Sequence, residues 1–200
     1  VGNQIKCLLT DREGKLWAGT DAALNRLHRK SLFALSQGEG LGFGPAQSLA
    51  EVTPGVVWVS KPNDGLYRWD GKSFSRLSTA GLSSHGSQIT ALLVTQDGFC
   101  WVATTNSLLL YKDPIAAADE VVTIQSPKTN VIALAEDRDG ALWLGTRDGK
   151  IWQLRRDEWL EQTNLSQTNA VTALVPAPDG SIWAGTDGNV LFRLIDMSVH

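Results

Sequence analysis

The chain has little of several things that usually simplify a reading. It carries two cysteines, one methionine and seven prolines in 200 residues, and no apolar run near the roughly 18 residues that a membrane-crossing helix needs. Cys7 and Cys100 form neither a CxxC pair nor a disulfide framework; one lies in an apolar strand pattern and the other directly precedes a tryptophan, so both read as packed thiols. Charge is sparse as well, at 20% of residues with a net charge of -3. The one tight basic cluster, Arg26 with His28, Arg29 and Lys30, supplies no extended field for a phosphate backbone, which excludes nucleic acid as the expected partner. No segment carries 10 to 12 residues of helical periodicity, and Val1-Gly2-Asn3 is no secretion signal. The compartment stays open on these grounds.

What the chain does have is tryptophan, eight in all, at fixed intervals. Trp17, Trp58, Trp101, Trp143 and Trp183 lie 41, 43, 42 and 40 residues apart, each preceded nine residues earlier by a leucine: Leu8, Leu49, Leu92, Leu134 and Leu174. A period near 40 residues belongs to propeller blades or helical solenoids, and the missing helical pattern selects the blades. The expected repeats are 1–43, 44–86, 87–128, 129–168 and 169–200, read as one β-propeller domain or part of one.

Within a repeat, short β-compatible runs alternate with Asp-Gly turns. Asp139-Gly140, Asp148-Gly149, Asn63-Asp64-Gly65 and Asp70-Gly71 are hairpin signals, and four strands per repeat follow, except in repeat five, where six residues after Leu194 leave the outer strand missing or minimal. The first two strands of each repeat are apolar on both faces, as in Ile89, Leu92 and Val94. With no helices to cover them, neighbouring sheets must cover one another, the condition that radial stacking meets. The repeated tryptophan reads as inter-blade filler whose indole N–H reaches a rim acceptor. The small residue two positions later (Gly19, Ser60, Ala103, Gly145, Gly185) reads as a point of close backbone approach. The fold class expected is all-β, a propeller of about five four-stranded antiparallel blades, with an incomplete last blade.

Little catalytic chemistry is legible. A ring of threonines (Thr20, Thr104, Thr146, Thr186) has no bases in register. Asp11 with Glu13, and Asp137 with Asp139, look like fragments of calcium loops, but Asp97 and Asp179 stand without such partners and a tight turn accounts for all four junctions. His28, His85 and His200 occupy unrelated repeat phases, and no metal-ligand spacing appears. No catalytic residue, metal or cofactor is expected, and the chain is expected not to be an enzyme. Asn3, Ser87, Asn130 and Asn169 precede the first strands of their repeats and are the expected ligand-binding residues at one end of the propeller; turn formation is the competing reading of the same residues. Tyr67, Trp69, Trp152 and Trp159 belong to outer-strand phases that suit either a ligand surface or ordinary packing.

The segment from Ile132 through Asp137-Arg138-Asp139-Gly140-Ala141-Leu142-Trp143-Leu144-Gly145-Thr146, together with Gly65-Leu66-Tyr67-Arg68-Trp69, resembles the two-component-regulator propeller repeats of bacterial periplasmic sensor regions. Repeats one, four and five match best; Thr53-Pro54-Gly55 and Ser60-Lys61 depart from the pattern in repeat two, and Ala103 and Asn106 in repeat three. The resemblance implies a periplasmic or extracellular, ligand-sensing or interaction propeller next to a signalling module, with a carbohydrate or peptide as ligand. It also implies larger propellers, often seven-bladed, so the chain reads as part of a longer receptor whose exposed blade edge continues or self-associates. A structural interaction scaffold is one alternative. Another is a metal-dependent lyase of the virginiamycin B type, whose family histidine arrangement finds no residue-by-residue match here.

Overall fold

Blades one and four are pinned at their first turn by a carboxylate that satisfies the bend and the tryptophan at once. In the first repeat, Asp11 Oδ1 accepts the backbone N–H groups of Glu13 and Lys15 at 3.1 and 2.8 Å, while its Oδ2 accepts the Trp17 indole N–H at 2.9 Å. Asp137 repeats the arrangement: Oδ1 takes the N–H groups of Asp139 and Ala141 at 3.0 and 2.9 Å, and Oδ2 takes the Trp143 indole at 2.7 Å. Gly14, Gly98, Gly140 and Gly180 close these turns at φ between 75° and 85°, the left-handed region that a Cβ disfavours. The turn glycines behave as expected from sequence, but in blades one and four the residue that latches the turn to its strand is the aspartate six before the tryptophan, a position held by Val52, Thr95 and Ala177 in the other three.

The computed structural model describes residues 4–21, 23–28, 31–77, 88–115, 121–124, 130–164, 169–188 and 190–195, with the backbone alone at 27, 28, 31–33, 163 and 164. It is an all-β, five-bladed propeller of antiparallel sheets, four with four strands and the last with three. Contacts divide the chain into two compact units, residues 1–102 with 109–123, and residues 103–108 with 124–200.

In the first unit, β1 (Ile5–Thr10), β2 (Leu16–Thr20), β3 (Leu24–His28) and β4 (Ser31–Leu35) pair in chain order as blade one. A 3-10 turn at Gln37–Glu39 leads to blade two: β5 (Ser48–Thr53), β6 (Val56–Lys61), β7 (Gly65–Trp69) and β8 (Phe74–Arg76). Blade three holds β9 (Ile89–Val94), β10 (Cys100–Thr104), β11 (Leu108–Tyr111) and β12 (Val121–Ile124). The core lies between blades. Trp17, Leu24 and Leu41 pack with Val57, Val59, Tyr67, Trp69 and Phe74 across blades one and two, and Trp58 and Leu66 pack with Leu92, Val102 and Tyr111 across blades two and three. Trp58 meets Tyr111 edge to face, with ring centroids 5.2 Å apart. Cys100 is buried in this layer and Cys7 half-buried in the previous one, both as free thiols.

The second unit contains blade four, β13 (Val131–Glu136), β14 (Leu142–Thr146), β15 (Lys150–Arg155) and β16 (Glu158–Asn164), and blade five, β17 (Val171–Pro176), β18 (Ile182–Thr186) and β19 (Leu191–Leu194). Arg156 and Asp157, at φ 50° and 65°, form the two-residue turn between β15 and β16, a backbone suited to the strand twist. Trp143 and Ile151 pack with Val171, Leu174, Ile182 and Ala184. The close approach expected at Gly145 is met here: a Cβ at that position would stand 2.6 Å from Val171 Cγ1.

Candidate functional site

The inner hairpin of each blade, between its second and third strands, is closed by a threonine wherever the repeat keeps one. Thr20, Thr104, Thr146 and Thr186 direct their hydroxyls at the carbonyls of Ala23, Ser107, Lys150 and Val190, at 2.9, 3.0, 3.1 and 3.0 Å. These hydroxyls are spent on turn structure. Blade two has Lys61 at this position, three residues after Trp58, and the consequence is a site.

Lys61 ends β6 with its side chain almost fully buried, at 2% exposure. Its ammonium donates to the Gly44 carbonyl at 2.5 Å across the loop before β5. Burial lowers its pKa, and the nearby Asp64 carboxylate opposes that shift. Asp64 accepts the Tyr67 hydroxyl at 2.8 Å and lies 3.8 Å from the Arg76 guanidinium. Burial raises the Tyr67 pKa first, the hydrogen bond to Asp64 second, so the phenol stays protonated and donating. Asn63 on the same turn accepts from Gln88 at 2.9 Å.

Lys61, Asn63, Asp64 and Tyr67 border a cavity of about 540 Å³ whose other wall is Gly42, Phe43, Gly44, Pro45 and Pro62. Phe43 is 79% exposed, an apolar ring held open to solvent beside a buried cation and a carboxylate. Gly42 permits the wall to come this close, because a Cβ there would fall on the Asp64 carboxylate and the Tyr67 hydroxyl. One exposed aromatic face with convergent polar groups of both signs suits a ligand with a hydrophobic face and several hydroxyl or carboxylate groups. A second cavity, about 630 Å³, lies at Asp139, Ala141, Leu154, Arg155 and Glu158 in blade four; Asp139 and Glu158 are exposed there, so water already satisfies their charges.

Of the residues expected from sequence to bind ligand, Asn3 and Ser87 lie outside the described residues. Asn130 adopts φ 63°, donates its N–H to the Thr105 carbonyl at 3.1 Å and accepts the Arg147 N–H at 3.0 Å. Asn169 lies against Gly188, where a Cβ would collide with its amide. The cavity occupies the same phase in another blade: Gly44 and Pro45 stand 14 and 13 residues before Trp58, as Asn169 stands 14 before Trp183 and Asn130 13 before Trp143. Sequence reasoning passed over Lys61, Asp64 and Phe43. The available signal was the departure at Ser60-Lys61, where one repeat alone puts a long cation in the threonine slot.

Among the described residues no group of three or more His, Cys, Asp or Glu could hold a metal, and no helix is long and apolar enough to cross a membrane. His85 and His200 lie outside those residues, and His28 is described by its backbone alone.

Three segments, residues 1–22, 125–148 and 165–188, match the family model described as two component regulator propeller. No curated protein matches the chain. Among solved structures, a catalytically inactive virginiamycin B lyase from Staphylococcus aureus with quinupristin superposes with a TM-score of 0.81 at 16% identity, over 99% of this chain and 69% of the lyase. Extracellular domains of two hybrid two component systems from B. thetaiotaomicron superpose with TM-scores of 0.66 and 0.75 at 18% and 16% identity. They cover 100% and 94% of this chain, which spans 33% and 26% of theirs. The chain therefore has a propeller fold related both to two-component sensor propellers and to an unrelated lyase family. This corrects the expectation that it is not an enzyme: the lyases show that the fold carries catalysis. The expectation relied on spacing along the chain, whereas propeller loops can bring groups together from different blades without any linear motif.

Proposed function

We propose that this chain is the ligand-sensing part of a bacterial two-component receptor, on the periplasmic or extracellular side, and that it holds a carbohydrate at the blade-two cavity. The observation that carries the reading is Lys61: a buried cation in place of the turn threonine, facing a cavity with an exposed phenylalanine and an Asp64–Tyr67 pair. In this reading Phe43 stacks on the apolar face of a sugar ring, while Lys61, Asp64 and Tyr67 bond its hydroxyls. The match to the two-component propeller model and the likeness to extracellular sensor domains support the receptor context.

Titration calorimetry against a panel of neutral and acidic oligosaccharides and short peptides tests this. Stoichiometric binding is expected for an oligosaccharide, weakened about 10- to 100-fold by Lys61→Met, as for loss of a hydrogen bond to a charged group, and about 3- to 10-fold by Phe43→Ala. Binding that neither substitution changes would remove the site from the proposal. A second reading, a lyase of the virginiamycin B type, is favoured by the superposition over 99% of the chain. Turnover of quinupristin with added divalent metal is its test, and failure of the purified chain to consume quinupristin would reject it.

A further inference from the structure

The charge on Lys61 has no counter-ion among the described residues. An ammonium carries three N–H donors. One of them meets a protein acceptor, the Gly44 carbonyl at 2.5 Å, and no described carboxylate forms an ion pair with the nitrogen. Asp64, the anion on the same wall, is engaged elsewhere: Oδ2 accepts the Tyr67 hydroxyl at 2.8 Å and Oδ1 faces the Arg76 guanidinium at 3.8 Å. Asp64 favours the charged form of Lys61 without pairing with it, and the burial that opposes that form is the larger influence. With Asp64 answered by Arg76, one positive charge is left on the cavity wall. A cation taken out of water is costly unless an opposite charge and hydrogen-bond acceptors meet it. The hairpin does not require this one, since Thr20, Thr104, Thr146 and Thr186 serve the other four blades at the same position.

The wall also defines the kind of anion that fits. A Cβ on Gly44 would meet nothing within 4 Å, so the cavity is open beside the residue that holds the ammonium. Phe43, its neighbour in the chain, presents the exposed ring, which places an apolar face next to the unanswered cation. The ammonium's two remaining N–H groups match the two oxygens of a carboxylate. Among the described residues lining the cavity there is no arginine and no second lysine to hold the further oxygens of a phosphate. Asp64 on the same wall disfavours a second negative charge on the ligand.

We propose that the ligand of the blade-two cavity is an acidic sugar, a hexuronate whose carboxylate pairs with the Lys61 ammonium while its ring lies on Phe43. The inference rests on the reading of this cavity as a carbohydrate site and names the class of sugar that it takes.

Titration calorimetry of the purified chain tests it with matched sets of disaccharides. Each set holds a glucuronate, galacturonate or mannuronate, its methyl ester, and the neutral hexose of the same configuration. At least one uronate should bind one-to-one, about tenfold or more tighter than its own ester and neutral counterpart. Lys61→Met should bring the three members of that set within about threefold of one another. Asp64→Asn, which keeps an acceptor for Tyr67 and removes the like charge, should widen the preference for the acid. Thermal melts check that both variants fold, and the ester comparison needs neither of them. An ester or neutral sugar bound as tightly as its acid, or a preference that Lys61→Met leaves intact, overturns the acidic-sugar inference and leaves the carbohydrate reading standing. A sulfated or phosphorylated disaccharide bound tighter than every uronate overturns the assignment of a carboxylate. Binding of no sugar, acidic or neutral, overturns both the inference and the carbohydrate reading beneath it.

Discussion

In blades one and four a carboxylate six residues before the tryptophan ties the turn to the strand. Asp137 holds two turn N–H groups and the Trp143 indole while itself buried, so removing it strands several donors. Asp137→Ala should lower unfolding free energy by roughly 2–3 kcal/mol, and Asp137→Asn by roughly 1 kcal/mol, because the amide retains a turn acceptor; urea melts followed by tryptophan fluorescence measure both. Asp179, exposed on the first turn of blade five, has its pKa held down to about 2, first by the Ser181 hydroxyl and backbone N–H and then by the Arg193 guanidinium. Its folded pKa lies below the usual carboxylate value, so the stability it contributes is present above about pH 4 and lost as pH falls through 2. Carboxyl NMR titration should show Ser181→Ala raising this pKa more than Arg193→Met does. The two thiols behave as packing groups: burial pushes Cys7 up to about 11 and Cys100 higher still. A thiol-specific reagent at about pH 8 should react with Cys100 only upon unfolding, and rapid reaction of the native protein would contradict that burial.

At the scale of the element, the threonine latch and the glycine notch have different tolerances. Gly145→Val would drive a side chain into Val171 and should cost about 1–3 kcal/mol, whereas a Cβ at Gly185 meets, among the described residues, Ala173 at 3.6 Å, so Gly185→Val should cost less. Unequal melting temperatures of the two variants are the expected result; equal losses would show that the notch is not an inter-blade feature. Lys61 marks the same distinction on the opposite side of the argument. Lys61→Thr restores the repeat residue and removes a buried charge whose pKa burial depresses, so the variant should melt at or above the wild-type temperature while losing ligand. A site that weakens its own hairpin is the pattern expected where binding, not folding, selects the residue.

At the scale of the whole molecule, five blades share one plan. Trp183, Val175 and Leu191 of blade five and Ile5 and Leu8 of blade one are exposed apolar side chains. Side chains of these types gain on the order of 1.5–3 kcal/mol each when buried. A hydrophobic-patch dye should therefore fluoresce on binding the native protein, and the absence of any signal would mean that these side chains are covered.

The architecture was legible in the chain alone because a propeller writes its period into the sequence: Trp17, Trp58, Trp101, Trp143 and Trp183, the Asp-Gly turns and the missing fourth strand of repeat five all follow from residues that each blade needs locally. Gly19 and Gly145 were legible as points of close approach for the same reason. The cavity was not. Lys61, Phe43 and Asp64 have no shared spacing with other repeats, and they meet only because the loop before β5 folds over the end of β6 and brings the Gly44 carbonyl to the ammonium. Nor could spacing distinguish Gly185 from Gly145, which occupy one phase of one motif; only the three-dimensional neighbourhood shows Val171 close against Gly145 and, among the described residues, Ala173 of its own sheet at Gly185. Local chemistry repeats along the chain and can be read there, while a site is a meeting of segments, and that is decided by packing.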